Sequence, residues 1–160
     1  MSLRLLNPSS VAPSGPFSHG LVIPAEHDII VTAGQIGTTD PQGTIPDSYE
    51  EQVVAAVKNL KDVLAEAGAA PKDIIKLTYY IVDYGGGFNE SPMTTQILIT
   101  LTRHFSSSGA YQCIAELLGW PPAGTALIGV AKLGNPKLKF EIEAIAALKS
   151  ATAPQAGDLA

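Results

Sequence analysis

The clearest pattern in the chain is a helical stripe of apolar residues between positions 47 and 68. The spacing alternates between four and three residues, which places one face of an α-helix against a core: Val53, Val57, Leu60, Leu64 and Ala67. Asp47, with Glu50 three residues later, forms an N-terminal capping pair, and Gly68 ends the helix. We predict one amphipathic helix over this segment.

Two other segments alternate with the period of a β-strand. In residues 74–82 the side facing the core carries Ile75, Leu77, Tyr79 and Ile81. In residues 137–148 the alternate positions from 138 to 146 are all apolar, and the opposite side carries Lys139, Glu141 and Glu143. We predict two strands, each with one face against the core.

The rest of the pattern predicts an α+β domain, in which helices pack on one face of a sheet. Short strands are expected at 3–6, 21–23, 28–33 and 125–133, an extended loop at 34–43, and further helices at 92–105 and 111–118. The length fits a single domain, which we assign to residues 1–148. The segment 149–160 has little to bury and is expected to be a flexible tail.

Composition narrows the class of protein. The formal net charge is -5 and the isoelectric point is near 5.0, so a nucleic-acid partner is not expected, because phosphate binding needs clustered Lys and Arg. No apolar run is long enough to span a membrane, and no secretory signal is visible. Cys113 is the only cysteine, which fits a cytoplasmic location, and no metal site is expected.

Candidate chemistry lies on the polar side of the last strand. Glu141 and Glu143 are two residues apart, so their backbones are roughly 7 Å apart on the same sheet face. On a partly buried face each charge disfavours the other, which lets one carboxyl hold a proton near neutral pH. The same pattern also fits a solvated strand face, and periodicity alone leaves both interpretations open.

Four short motifs occur in a recognisable order: Gly-Pro-Phe-Ser at 15–18, Ala-Gly-Gln-Ile at 33–36, Val-Ala-Lys-Leu at 130–133 and Glu-Ile-Glu-Ala-Ile-Ala at 141–146. Together they resemble the Rid family, the reactive intermediate deaminases, also called the YjgF family. The resemblance covers roughly residues 8–84 and 121–148. The last motif is the most specific of the four.

The resemblance implies a fold and an assembly. Typical Rid proteins are homotrimers of a chorismate-mutase-like α+β fold, with a mixed sheet backed by helices on one face and small-molecule substrates bound in clefts between subunits. This chain is longer than typical members between residues 85 and 110, where we expect an inserted helical segment. Deaminating members hydrolyse 2-imino and 2-enamino acids without a cofactor, and none is expected here.

The resemblance also implies site residues. Glu141 matches the glutamate that positions the attacking water, if the preceding turn holds one extra residue, and Glu143 is a supporting residue. Asn89 matches an asparagine of the family, and Leu127 lines the expected site.

Three positions depart from the family pattern. Phe17 stands where a tyrosine is expected, Ala33 where a serine is expected, and Thr125 where an arginine grips the substrate carboxylate. A threonine cannot provide the two-pronged contact of a guanidinium. We therefore expect a more apolar pocket around Glu141, suited to a larger or neutral substrate.

Several functions follow from this reading. The first is an enamine or imine hydrolase, a deaminase that uses Glu141 as its acid/base residue. The alternatives are a non-catalytic trimeric ligand-binding or chaperone-like protein, and a diverged biosynthetic isomerase, dehydratase or cyclase. Ribonuclease activity fits least well, because no basic track for a nucleic-acid backbone is visible.

Overall fold

The computed structural model describes residues 2–12, 18–83 and 124–151. These ranges contain one α-helix, a short 3₁₀ turn at Pro71–Asp73 and seven strands. The helix is α1 (Tyr49–Glu66), and the strands are β1 (Arg4–Leu6), β2 (Gly20–Val22), β3 (His27–Val31), β4 (Gln35–Ile36), β5 (Ile74–Val82), β6 (Gly124–Val130) and β7 (Phe140–Lys149). No helix of the described ranges is long and apolar enough to cross a membrane.

The helix α1 follows the predicted apolar stripe as far as Leu64, whereas Ala67 is its exposed C-cap, and its N-cap lies one residue later than predicted. Ser48, not Asp47, is the N-cap, and its hydroxyl accepts a hydrogen bond of 3.3 Å from the backbone N–H of Glu51. Gly68 has a φ of 73°, a left-handed conformation that glycine adopts without strain. The stripe supplies the helix side of the core, with Val53, Leu60 and Leu64 at most 1% exposed.

Five strands form the main sheet, in the order β3-β7-β5-β6, with β4 also paired to β7. β7 runs antiparallel to β3, β4 and β5, whereas β5 and β6 are parallel. A separate two-stranded sheet joins β1 and β2. The predicted α+β class, with a mixed sheet and a helix on one face, is therefore confirmed; the insertion expected at 85–110 lies outside the described residues.

The two faces of the sheet differ in what covers them. On the helix face, the apolar residues of β7 and β5 pack against α1, including Phe140, Ile142, Leu77 and Ile81. The other face, here called the open face, carries Glu141, Glu143 and Ile145 from β7 and Lys76, Thr78 and Tyr80 from β5. The alternation predicted for β7 is thus observed, with buried residues at even positions from Phe140 to Ala146.

A buried glutamine fixes the approach to β7. Gln52 on α1 is 1% exposed. Its amide nitrogen donates hydrogen bonds of 2.9 Å to the carbonyls of Pro46 and Lys137, and its amide oxygen accepts one of 2.8 Å from the N–H of Lys139. These hydrogen bonds attach the turn before β7 to α1. They therefore fix the position of the start of β7, the strand that carries Glu141.

Candidate active site

The carboxylate of Glu141 lies over the backbone of Gly34. A Cβ built on Gly34 would overlap the Glu141 carboxylate oxygen and would lie 2.6 Å from Cδ and 2.9 Å from Cγ. Only a glycine leaves room for the glutamate at this distance. Within the described parts of the chain no hydrogen bond or ion pair engages this carboxylate, and the side chain is half-buried. Glu141 therefore has free lone pairs for a ligand or a water molecule.

An irregularity between β3 and β4 brings Gly34 to this place. Val31 pairs with Ile145 and Gln35 pairs with Ile142, so three residues of one strand face two of the other. An extra residue of this kind is a β-bulge, which bends the strand and redirects its side chains. Thr32 stabilises the bulge, because its hydroxyl accepts a hydrogen bond of 2.9 Å from the N–H of Ala144.

A second carboxylate on the open face is hydrogen-bonded. The Tyr80 hydroxyl donates to Oε1 of Glu143 over 3.1 Å. Partial burial, this hydrogen bond and the charges of Glu143 and Glu141 raise the pKa of the Tyr80 phenol. The phenol consequently keeps its proton at neutral pH and serves as a donor.

A shallow cavity adjoins this pair. It contains about 320 Å³ of empty volume, part of which is open solvent, and is lined by Val31, Thr32, Lys76, Thr78, Glu143, Ala144 and Ile145. Its walls combine a lysine, a carboxylate and a threonine hydroxyl with apolar side chains. A small polar molecule could bind there by hydrogen bonds while its apolar part contacts Val31 and Ile145.

The structure does not bring two of the expected site residues to Glu141. Thr125 pairs with Leu77 and Leu127 pairs with Tyr79, so both lie on the helix face. Leu127 packs against the core, and the buried Thr125 hydroxyl has no hydrogen-bond partner among the described residues. The expectation that these side chains line a pocket around Glu141 is corrected, because the β5–β6 register turns them to the other side of the sheet.

The remaining expected residues divide into two groups. Ala33 is exposed and lies in the bulge, next to Gly34, which contacts Glu141. Phe17 and Asn89 lie outside the described residues. Ala33, Glu141 and Glu143 are thus the expected residues that share this part of the sheet.

Sequence reasoning missed Tyr80 and the close approach of Gly34. Tyr80 could have been found, because Lys76, Thr78 and Tyr80 follow the period of two on the polar side of β5. Gly34 belongs to a recognised motif, but its contact with Glu141 depends on the bulge. Within the described ranges, no three His, Cys, Asp or Glu side chains are grouped so that they could hold a metal ion.

Sequence comparisons identify related proteins. A RutC family protein of Aquifex aeolicus is 33% identical over 80 residues, which are 50% of this chain and 62% of that protein. A 2-iminobutanoate/2-iminopropanoate deaminase of Escherichia coli is 26% identical over 147 residues, 91% of this chain and 98% of that protein. The chain covers less than two thirds of the length of three curated relatives, the Aquifex aeolicus protein and proteins of Pyrococcus abyssi and Escherichia coli: 62%, 54% and 51%.

Solved structures share the fold. YyfB of Yersinia pestis, described as a Rid family protein of unknown function, is 32% identical and gives a TM-score of 0.65 over 92% of this chain and 100% of that one. TdcF of Escherichia coli with bound serine is 23% identical and gives a TM-score of 0.55 over 89% of this chain and 96% of that one. At that identity the second match shows the fold alone.

The family itself follows from the widest match. The model of the family described as Endoribonuclease L-PSP matches residues 8–148, which include β2 to β7, α1 and the Glu141 site. With this match over most of its length, the chain belongs to the Rid family, also called the YjgF family.

Proposed function

We propose that the chain is a divergent Rid-family enzyme that hydrolyses the C–N bond of a small enamine or imine, with Glu141 as its acid/base residue. The observation that carries the proposal is the carboxylate of Glu141 over Gly34, half-buried and without a hydrogen-bond partner among the described residues. The curated relative that is an iminobutanoate deaminase matches along most of the chain and gives further support.

Hydrolysis of an imine requires one carboxylate that accepts a proton and later donates it. The imine reacts as its N-protonated iminium form. Glu141 accepts a proton from water while the water oxygen bonds to the iminium carbon, and the C=N electron pair goes to the nitrogen, which keeps its proton. The product is a carbinolamine. Glu141 then returns its proton to the amine nitrogen, the C–N bond breaks with its electron pair going to nitrogen, and the hydroxyl oxygen forms a carbonyl as its proton passes to the departing ammonia. Imine and water are thereby converted into a carbonyl compound and ammonia.

The substrate is expected to differ from that of typical members. The chain contains two arginines, Arg4 and Arg103, and neither lies in β6, the strand on which the resemblance places the substrate-binding arginine. A charged and hydrogen-bonded anchor contributes on the order of 3 kcal/mol to binding. We therefore propose that the enzyme acts on a larger or neutral imine, whose binding does not depend on a two-pronged carboxylate contact.

The test is a comparison of Glu141→Gln with the wild-type protein. Imines are generated in situ from a panel of amino acids and neutral amines by an added oxidase, and ammonia release is followed. We expect a loss of at least about a hundredfold in the variant, because glutamine cannot transfer a proton. Glu66→Gln, at the exposed end of α1, is the matched control and should be as active as the wild type. Equal rates for Glu141→Gln and the wild type would overturn the proposal.

A second candidate is a non-catalytic ligand-binding member of the family. It is favoured by the missing donors, because Ala33 stands where the family has a serine and β6 carries no arginine. Under this alternative no imine is hydrolysed faster than in buffer, although small molecules still bind at the open face. Absence of wild-type turnover across the panel, with binding detected by calorimetry, would support it over the enzyme.

We also propose that the protein is a homotrimer. The open face exposes apolar side chains beside the polar ones: Val31 is 71% exposed, Ile29 48% and Ile128 41%. An apolar area of this kind on a sheet face favours burial against another copy. Light scattering should give about three times the 16.7 kDa mass of the chain. Val31→Lys should lower this mass, whereas Val63→Lys, at an exposed position on α1, should not.

A further inference from the structure

Tyr80 lies on the open face beside both carboxylates. In the β5–β7 register its partner is Glu141, and its hydroxyl donates the 3.1 Å hydrogen bond to Oε1 of Glu143. The side chain therefore extends from the position of one glutamate to the carboxylate of the other. Cross-strand contacts of this type fix side chains that a single strand would leave free.

The hydrogen bond has a defined direction. The pKa of the Tyr80 phenol is raised by partial burial, by the hydrogen bond and by the two negative charges, so the phenol remains the donor and the Glu143 carboxylate the acceptor. A hydrogen bond to an ionised group is stronger than one between neutral groups. Glu143 is consequently restrained in one orientation.

The two glutamates of the face therefore differ in availability. Glu143 is bonded to Tyr80, whereas Glu141 lies over Gly34 with no hydrogen bond or ion pair to any described residue. Their backbones are separated by two residues, roughly 7 Å along the strand. Without a restraint on Glu143, both carboxylates could reach for the same water molecule or ligand proton.

We propose that Tyr80 is a positioning residue of this site, which restrains Glu143 so that Glu141 alone binds the attacking water. The inference rests on the proposed function of Glu141. Its physical basis is that proton transfer requires the water in one orientation, within hydrogen-bond distance of one base. Release of Glu143 adds a competing acceptor and lowers the fraction of productive complexes. Substrate binding does not use the Tyr80 hydroxyl.

The chain offers a matched control in the preceding residue. Tyr79 is also a tyrosine of β5, but its side chain lies on the helix face and is 4% exposed. Its hydroxyl is buried and has no hydrogen-bond partner in the part of the chain that the structure describes. Tyr79→Phe thus removes the same atom from the opposite side of the same strand. Any change in turnover of Tyr79→Phe therefore measures the structural effect of removing a tyrosine hydroxyl from β5, without a change at the Glu141 site.

The experiment measures steady-state imine hydrolysis by Tyr80→Phe, Glu143→Gln, the double variant and Tyr79→Phe. For Tyr80→Phe we expect kcat to fall about tenfold with KM changed less than about twofold, because the lost contact orders the site and does not bind substrate. Tyr79→Phe should retain wild-type kcat. Glu143→Gln should stay within about twofold of the wild-type kcat, and the double variant should recover most of the kcat that Tyr80→Phe loses, because glutamine at 143 is not a competing base.

The outcomes separate this inference from the proposed function. If Glu141→Gln abolishes turnover but Tyr80→Phe behaves like Tyr79→Phe, the positioning role is overturned and the function of Glu141 stands. The same holds if the effects of Tyr80→Phe and Glu143→Gln multiply in the double variant. Absence of wild-type turnover overturns both. Thermal unfolding of each variant verifies that it is folded, and Tyr80→Leu, which also removes the hydroxyl, provides the test if Tyr80→Phe is not.

Discussion

Two nearby glycines, Gly34 and Gly37, should respond differently to substitution by alanine. Gly34 and Gly37 both approach other groups too closely for a Cβ, but the groups differ. A Cβ on Gly34 meets the end of the Glu141 side chain. A Cβ on Gly37 meets backbone atoms of Gln52, and it would lie 2.7 Å from the Gln52 Cβ.

The expected energies follow from what can move. Neither glycine has a positive φ, so alanine adds no backbone strain and stabilises by about 0.4–1 kcal/mol through the unfolded chain. In Gly34→Ala the Glu141 side chain can rotate away without losing a hydrogen bond, at a cost of about 0.5–1.5 kcal/mol. The net change in the free energy of unfolding is then near zero. For Gly37→Ala a hydrogen-bonded helix must shift, at about 1–3 kcal/mol. A net loss of about 1–2 kcal/mol remains.

The assays are thermal unfolding and imine turnover. For a chain of this length, Gly37→Ala should lower Tm by roughly 5 °C, whereas Gly34→Ala should unfold within about 2 °C of the wild type. Gly34→Ala should nevertheless lose most of its turnover, because the added Cβ displaces the Glu141 carboxylate from its position over residue 34. The reasoning is refuted if Gly34→Ala keeps wild-type turnover, or if it destabilises as much as Gly37→Ala.

Two further predictions concern stability. Ser48→Ala removes the N-cap of α1 and should lower the free energy of unfolding by about 1 kcal/mol; urea titration with an unchanged slope is the measurement. Burial raises the pKa of the Tyr49 and Tyr79 phenols in the folded protein. As the pH rises, these phenols therefore lose their protons in the unfolded chain at a lower pH than in the folded protein. Stability should therefore fall above about pH 10, by up to about 1.4 kcal/mol per phenol and pH unit, and less steeply in the double phenylalanine variant. A flat profile from about pH 9 to pH 11 would contradict this.

The regular elements could be predicted because their patterns are local. The stripe of α1 and the alternation of β5 and β7 each come from one buried face, and a period of 3.6 or 2 is visible in the residues themselves. The prediction that Glu141 and Glu143 lie opposite the core face needed no more than that alternation. The N-cap was predicted one residue early, since Asp47 and Ser48 are equally good acceptors and only the backbone conformation decides.

The site could not be predicted fully, because its geometry depends on contacts between distant segments. Whether Thr125 shares a face with Glu141 is set by the β5–β6 register, and a shift of one residue moves a side chain to the other face. The bulge at Ala33 and Gly34 leaves no period in the sequence. The identity of the Glu143 partner likewise required the pairing of β5 with β7.

Assembly and chemistry are coupled through the open face. Val31 and Ile145, at one end of the face, are apolar and line the same cavity as Glu143. Glu141 lies two residues before Glu143 in β7. A second copy that covers the apolar end also removes water from around the carboxylates, and electrostatic interactions strengthen as water is excluded. Val31→Lys should therefore lower turnover together with molecular mass, although Val31 takes part in no proton transfer. A monomeric variant with full turnover would separate the two and show that one chain completes the site.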